Sequence, residues 1–198
     1  MGKKELVIEL FDAGCVKFRS FTLKSGIVSP IYIDLRLLAS RPMLLKKVAG
    51  AMASKLKKLQ FDRIAAIPYA AMPIGTAISL KTGAPMVYAR KEVKEYGTKR
   101  QVEGEFKPGE TVVVIDDLIT TGGSKLEAIA PLTEAGLLVK DVVVLIDREQ
   151  GGKKQLAEKG LELHAVLKLK AMLKILLDAN KIDRAKYDET IAFLKANR

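Results

Sequence analysis

Val112-Val113-Val114-Ile115-Asp116-Asp117-Leu118-Ile119-Thr120-Thr121-Gly122-Gly123-Ser124 is the stretch that decides the fold. Its β-branched run, 111–115, has no polar interruption, so it predicts a strand buried on both faces. An acid pair follows, then a Thr/Gly turn, then apolar residues at helical spacing over 124–135. A second apolar strand is expected at 142–146, which makes a βαβ unit with a parallel sheet. The acids then stand at the carboxyl end of a central strand, where open α/β sheets bind ligands. Hydroxyls and unhindered glycine amides at a helix N-terminus favour an anion, a phosphate above all. Two acids beside a phosphate must face something else, and ribose hydroxyls with a divalent cation fit both demands. A Walker-type loop is excluded, because no Gly-Lys-Ser/Thr occurs at the required spacing.

Outward from this segment, helical and strand-like stretches alternate without internal repeats or low-complexity linkers. Helices are expected at 3–14, 41–59, 171–177 and 184–195, and strands at 31–35, 64–67, 85–89 and 161–167. Pro73 suits the first turn of a helix that follows the strand ending at Pro68. Residues 21–29 read as a polar, glycine-containing connection. Residues 90–110 break the rhythm with RKEVKEYGTKRQVEGEFKPGE, and so long a connection inside a compact domain is uncommon unless functional. The reading is a single α/β domain over 1–198.

The bulk numbers narrow the class. With 48% hydrophobic and 29% charged residues, a chain of 198 residues can bury a core without staples. No apolar run reaches membrane-spanning length, and the start, MGKKELVIEL, lacks a signal peptide's apolar stretch. One cysteine, Cys15, cannot pair within the chain, so a cytoplasmic setting is expected. The net charge of +11 attracts polyanions of several kinds. A nucleic-acid reader should interleave arginines with exposed aromatics, yet Trp is absent and aromatics make up 6%. Lys46, Lys47, Lys55, Lys57 and Lys58 read as a solvated helix face. His164, the sole histidine, reads as packed or superficial rather than as a general base. Cys15 has no nearby histidine to activate it. Met43, Met52, Met72, Met86 and Met172 read as core fillers.

The 112–124 segment resembles the donor-binding motif of type I phosphoribosyltransferases, which use phosphoribosyl pyrophosphate (PRPP). Phe21-Thr22-Leu23-Lys24-Ser25-Gly26 and Ser29-Pro30-Ile31-Tyr32-Ile33-Asp34-Leu35-Arg36 resemble the N-terminal signature of orotate phosphoribosyltransferases. Arg90-Lys91-Glu92-Val93-Lys94-Glu95-Tyr96-Gly97 resembles that family's catalytic loop, and Asp147-Arg148-Glu149-Gln150-Gly151-Gly152 matches it again. The wording is similar to the transferase half of eukaryotic UMP synthase, nearly end to end.

The resemblance implies a central, mostly parallel sheet flanked by helices, with a small N-terminal hood and a long mobile loop. It implies transfer of ribose 5-phosphate from PRPP to orotate, giving orotidine 5′-monophosphate and pyrophosphate. Lys94, Lys24 and Asp117 would be catalytic. PRPP would be held by Lys24, Arg90, Lys91 and Lys94 and by Asp116, Asp117, Leu118, Ile119, Thr120, Thr121, Gly122, Gly123 and Ser124. Orotate would meet Lys24, Tyr32, Ile33, Thr120 and Arg148. Mg²⁺ would be bound mainly by the donor's oxygens, with Asp116 and Asp117 assisting. A homodimer is implied, in which loop 90–110 completes the neighbouring active site, with neither nucleic acid nor membrane as partner. Many bacterial relatives carry His where Tyr96 stands and a Lys within Pro68-Tyr69-Ala70-Ala71-Met72-Pro73, so neither Tyr96 nor Ala71 is assigned a donor contact. A purine or uracil transferase would keep the donor motif without a carboxylate-binding arginine. A PRPP-sensing regulator would add a nucleic-acid module or lose the loop lysines.

Overall fold

The computed structural model of the chain describes residues 2–22, 26–90 and 101–197. Lys24, Lys91, Lys94 and Tyr96, singled out above, lie outside the described residues. Helix α1 spans Lys3–Asp12, and strands β1 (Val16–Thr22) and β2 (Val28–Ile33) pair antiparallel as a separate two-stranded sheet. A 3₁₀ turn, Leu35–Ser40, leads into helix α2 (Pro42–Leu56). Then come β3 (Arg63–Ala66), α3 (Ala71–Thr82), β4 (Met86–Ala89) and the short β5 (Val102–Glu103). The βαβ unit is β6 (Thr111–Ile119), α4 (Gly123–Glu134) and β7 (Leu138–Asp147), and α5 (Gly152–Ala157), β8 (Glu162–Lys168), α6 (Leu169–Asp178) and α7 (Arg184–Ala196) follow.

The main sheet has six strands in the order β5-β4-β3-β6-β7-β8. All its pairings are parallel except β4 with β5. Alternation along β6 sorts its side chains between two cores. Val113 and Ile115 join Leu6, Val48, Ile74 and Met172, from α1, α2, α3 and α6, on one face. Val112 and Val114 join Ile129 and Leu132 of α4 and Leu156 of α5 on the other. Both faces are therefore covered, which is why β6 and β7 read as unbroken apolar runs. From β3 the chain winds through α3 to one side of the sheet, and from β6 it winds through α4 to the other. The junction of β3 and β6 is thus the topological switch point, where a crevice opens at the strands' carboxyl ends.

The structure corrects several expectations. Strand β6 continues past the expected end of its apolar run at 115 to Ile119, and Asp116 and Asp117 lie within its carboxyl-terminal part, as expected. Strand β1 was not foreseen, because a register shift between Phe18 and Phe21 breaks the alternation that would have marked it. Within the stretch read as connection, Val102 pairs with Ala89 and Glu103 with Tyr88, and Arg90 Nη1 lies 3.1 Å from Glu103 Oε1. Such a short edge strand depends on its neighbour and not on propensity. Helix α5 was also missed, since six residues show too little periodicity. Met43 is 69% exposed and fills no core, although Met52 and Met172 are buried. No helix among the described residues is long and apolar enough to cross a membrane.

Candidate active site

At the switch point lies a cavity of ≈ 590 Å³, a size that suits a small-molecule ligand. The segment after β3, Ile67 to Ala70, forms one wall, and its Pro68–Tyr69 peptide bond is cis. Asp116 and Asp117 at the end of β6, Ser124 and Lys125 at the start of α4, and Arg90 after β4 also line it. The structure therefore brings together the acid pair, Ser124 and the first residue of the 90–110 segment, whereas Leu118, Ile119, Thr120, Thr121, Gly122 and Gly123 are not in the lining.

Asp116 lies two residues beyond Val114 on the same face of β6, so its side chain turns toward α4. There the Lys125 ammonium forms an ion pair with Asp116 Oδ2, and the Asp117 N–H donates to Oδ1 at 2.8 Å. Asp116 is 3% exposed. Burial first, and the charge of Asp117 second, push its carboxyl pKa up, against the opposing pull of Lys125. Asp117 is half-buried, and its Oδ1 accepts from the Leu118 N–H at 2.7 Å.

Gly122, with φ +105°, turns the chain from β6 into α4, whose N-terminus carries no side-chain cap. An added Cβ at Gly122 would approach Gln155 Oε1 to 2.9 Å, and L side chains rarely adopt that φ. Thr121 and Ser124 are exposed beside this turn, while Thr120 and Leu118 are half-buried and Ile119 is buried. The Gly152 N–H donates to the Thr120 carbonyl at 2.9 Å, so α5 braces the turn from behind. The sequence reading missed both Gln155 and Lys125. For Lys125 a signal existed: Lys125, Ile129 and Leu132 fall at i, i+4 and i+7, so a lysine occupies the apolar stripe of α4.

Arg148, just beyond β7, is 6% exposed, and among the described residues its Nε and Nη2 have no hydrogen-bond partner. Burial lowers its pKa from the usual guanidinium range. A buried guanidinium with unused donors is costly unless an anion meets it. Its loop is braced: Asp147 Oδ1 accepts from the Glu149 N–H at 2.8 Å, Glu149 Oε2 from the Lys170 N–H at 3.0 Å, and Gln150 Nε2 donates to the Asn197 carbonyl at 2.9 Å. Such a site accepts a planar carboxylate through the fork of its donors.

The remaining residues divide. Tyr32 packs on Phe21 with ring centroids 5.1 Å apart, and its hydroxyl accepts from Arg36 Nη2 at 3.0 Å. Ile33 is buried in the core. Neither Tyr32, Ile33 nor Arg148 lines the cavity that holds Asp116. His164 pairs with Asp141 at 2.7 Å, toward the amino ends of β8 and β7 and opposite the acid pair. Cys15 is buried, and burial followed by the charge of Asp34 pushes its thiol up to about 11, which leaves it a poor nucleophile.

A doubly wound sheet with a glycine turn and an acid pair at its switch point is an arrangement common to α/β folds that bind nucleotides and sugar phosphates. Residues 37–162 match the family described as phosphoribosyl transferase domain. Uridine 5′-monophosphate synthase of Bos taurus is 41% identical over 97% of this chain and 40% of its own length. Orotate phosphoribosyltransferase of Caenorhabditis elegans is 38% identical over 93% of this chain and 82% of its own. Among solved structures, Leishmania donovani UMP synthase superposes with a TM-score of 0.93 at 44% identity, covering 99% of this chain and 43% of that one. The chain belongs to the phosphoribosyltransferase family, among the orotate phosphoribosyltransferases. It spans about two fifths of the length of several relatives it matches.

Proposed function

We propose that the chain is an orotate phosphoribosyltransferase of UMP biosynthesis, which transfers ribose 5-phosphate from PRPP to orotate. The observation that carries this reading is Arg148, buried, with donors unused among the described residues, and tied through its backbone to the segment that ends β6. A carboxylate-bearing base fits it, whereas a purine or uracil would leave the guanidinium unmet. Thr120 would share the orotate site. Residues 1–198 would act as one transferase domain in the cytoplasm, as a homodimer in which loop 90–110 reaches the neighbouring site.

In this reading the N1 nitrogen of orotate bonds to the ribose C1 as the C1–oxygen bond to pyrophosphate breaks, and N1 gives up its proton to the departing pyrophosphate or to solvent. The bonding electrons leave with pyrophosphate, and configuration at C1 inverts. Orotate, already an anion, needs little activation. The barrier lies in positive charge gathering on the ribose and negative charge on the leaving group. Asp116 and Asp117 would orient the ribose hydroxyls and stabilise the positive ring. Residues 120–124 would hold the 5-phosphate at the start of α4. Arg90 and, by resemblance, Lys24, Lys91 and Lys94 would stabilise the departing pyrophosphate, most effectively with water excluded.

The residues present fit Mg²⁺. Asp116, ion-paired with Lys125 through Oδ2, and Asp117 both line the cavity and offer hard carboxylate oxygens with lone pairs to spare. Asp116 and Asp117 would hold the ion together with oxygens of the donor. When bound, it neutralises charge on pyrophosphate.

The test is a spectrophotometric assay of orotate consumption with PRPP and Mg²⁺, run beside adenine, hypoxanthine and uracil. Orotate loss that requires both PRPP and Mg²⁺ is expected. Turnover of another base would overturn the role given to Arg148. PRPP binding without turnover of any base would favour a regulator.

A further inference from the structure

We infer that Lys125 is a positioning residue of the donor site, whose ammonium holds the Asp116 carboxylate aimed at the ribose hydroxyls. The inference rests on the proposed donor site and adds to it a residue outside the motif's acid pair and phosphate turn. A lysine on the buried face of a helix loses hydration and rotamer freedom, so it needs a partner. Lys125 is 9% exposed and shares the buried stripe of α4 with Ile129 and Leu132. Its ammonium reaches the one carboxylate on that face of β6, Asp116, and both residues line the cavity.

The geometry fixes the carboxylate at both ends. The Asp117 N–H holds Oδ1, and the Lys125 ammonium holds Oδ2. With the plane of the group set in this way, its remaining lone pairs can face the cavity. Charge matters as well. Asp116 and Asp117 together would present two negative charges to a donor that is itself a polyanion. Lys125 cancels one of them inside a low-dielectric wall, where the repulsion would otherwise be large. Lysine in this arrangement acts on the ribose end of the donor through Asp116. Arg90, also in the lining, is left to the pyrophosphate end.

That division sets the experiment. Calorimetric titrations of ribose 5-phosphate and of pyrophosphate, each with Mg²⁺, are compared for the wild-type chain and Lys125→Met. Ribose 5-phosphate affinity is expected to fall by ~10-fold, the scale of one charged hydrogen bond, with pyrophosphate affinity changing less than ~2-fold. In turnover, KM for PRPP should rise by the same factor while KM for orotate holds. In an Asp116→Asn background, Lys125→Met should cost ribose 5-phosphate nothing further, because the charge it holds is gone. Removing one partner of a buried pair can unfold a protein. If Lys125→Met does not fold, Lys125→Gln, which removes the charge but keeps a polar end, takes its place, with the same loss confined to ribose 5-phosphate expected. Loss confined to pyrophosphate would make Lys125 a leaving-group ligand and overturn the inference. Equal loss of both ligands, or loss of neither, would also overturn it. A wild-type chain that turns over orotate beside an unaffected variant would sink the inference alone. A wild type that binds neither ligand would sink the donor site with it.

Discussion

The backbone N–H of Arg148 donates to the carbonyl of Ile119 at 2.9 Å, which locks the loop after β7 to the end of β6. The arginine proposed for the base and the turn proposed for the phosphate therefore move as one unit. Replacement of Arg148 by Lys keeps the charge and loses the fork. KM for orotate is expected to rise by ~10-fold or more, since hydrogen bonds to charged groups contribute about 1.5–3 kcal/mol. KM for PRPP should change little. Steady-state kinetics with each substrate varied in turn decides, and an unchanged orotate KM removes Arg148 from base recognition.

Lys94→Ala tests the leaving-group role that the resemblance assigns. The expected effect is a fall in kcat of at least ~10-fold, as for loss of one charge-stabilising donor. Initial rates at saturating PRPP and orotate measure it. A kcat equal to wild type would take Lys94 out of the chemistry.

Gly152 permits the close approach of α5 to the phosphate turn. A Cβ there would stand 2.6 Å from Ile119 Cγ1 and 2.8 Å from the Thr120 carbonyl oxygen. Backbone cannot yield as a flexible side-chain tip can, so Gly152→Ala should destabilise by about 1–3 kcal/mol. It should also weaken PRPP binding by displacing Thr120. Thermal melting and a PRPP titration report the two effects separately, and an unchanged melting temperature would contradict the packing.

The Arg63 guanidinium grips Glu110, with Nη2 donating to Oε1 at 2.9 Å, and holds its carboxyl at about 2, below the ordinary 4.5. A depressed carboxylate lends stability that is fully present above the unfolded value, here about 4.5. That contribution is lost as pH falls through about 2. Glu110→Gln is therefore expected to flatten the acid limb of stability against pH between these values, while differing little in slope at neutral pH. Urea midpoints collected from pH 2 to 7 would show it, and parallel curves for the two proteins would refute it.

The α/β alternation, the βαβ unit and the site's main segment were legible in the sequence, because buried strands and glycine turns obey local rules. The unbroken run at 112–115 could only be a strand covered on both faces, and the two cores that share β6 bear this out. The acid pair and the Thr/Gly turn raised the expectation of a phosphate and a sugar, on which the proposed function rests. Strands β1 and β5 were not legible, since a bulge hides the first and pairing with β4 alone makes the second.

What the sequence by itself determined is the class of chemistry, because residue types and their spacing specify which groups an anion can meet. What tertiary structure alone decided is which charges meet across the chain. Lys125 reaches Asp116 only because α4 crosses the face of β6 on which Asp116 lies. Arg148 stands beside the phosphate turn only because β7 runs parallel to β6 and ends level with it. Such long-range neighbours follow from strand order and crossover, which no local pattern encodes.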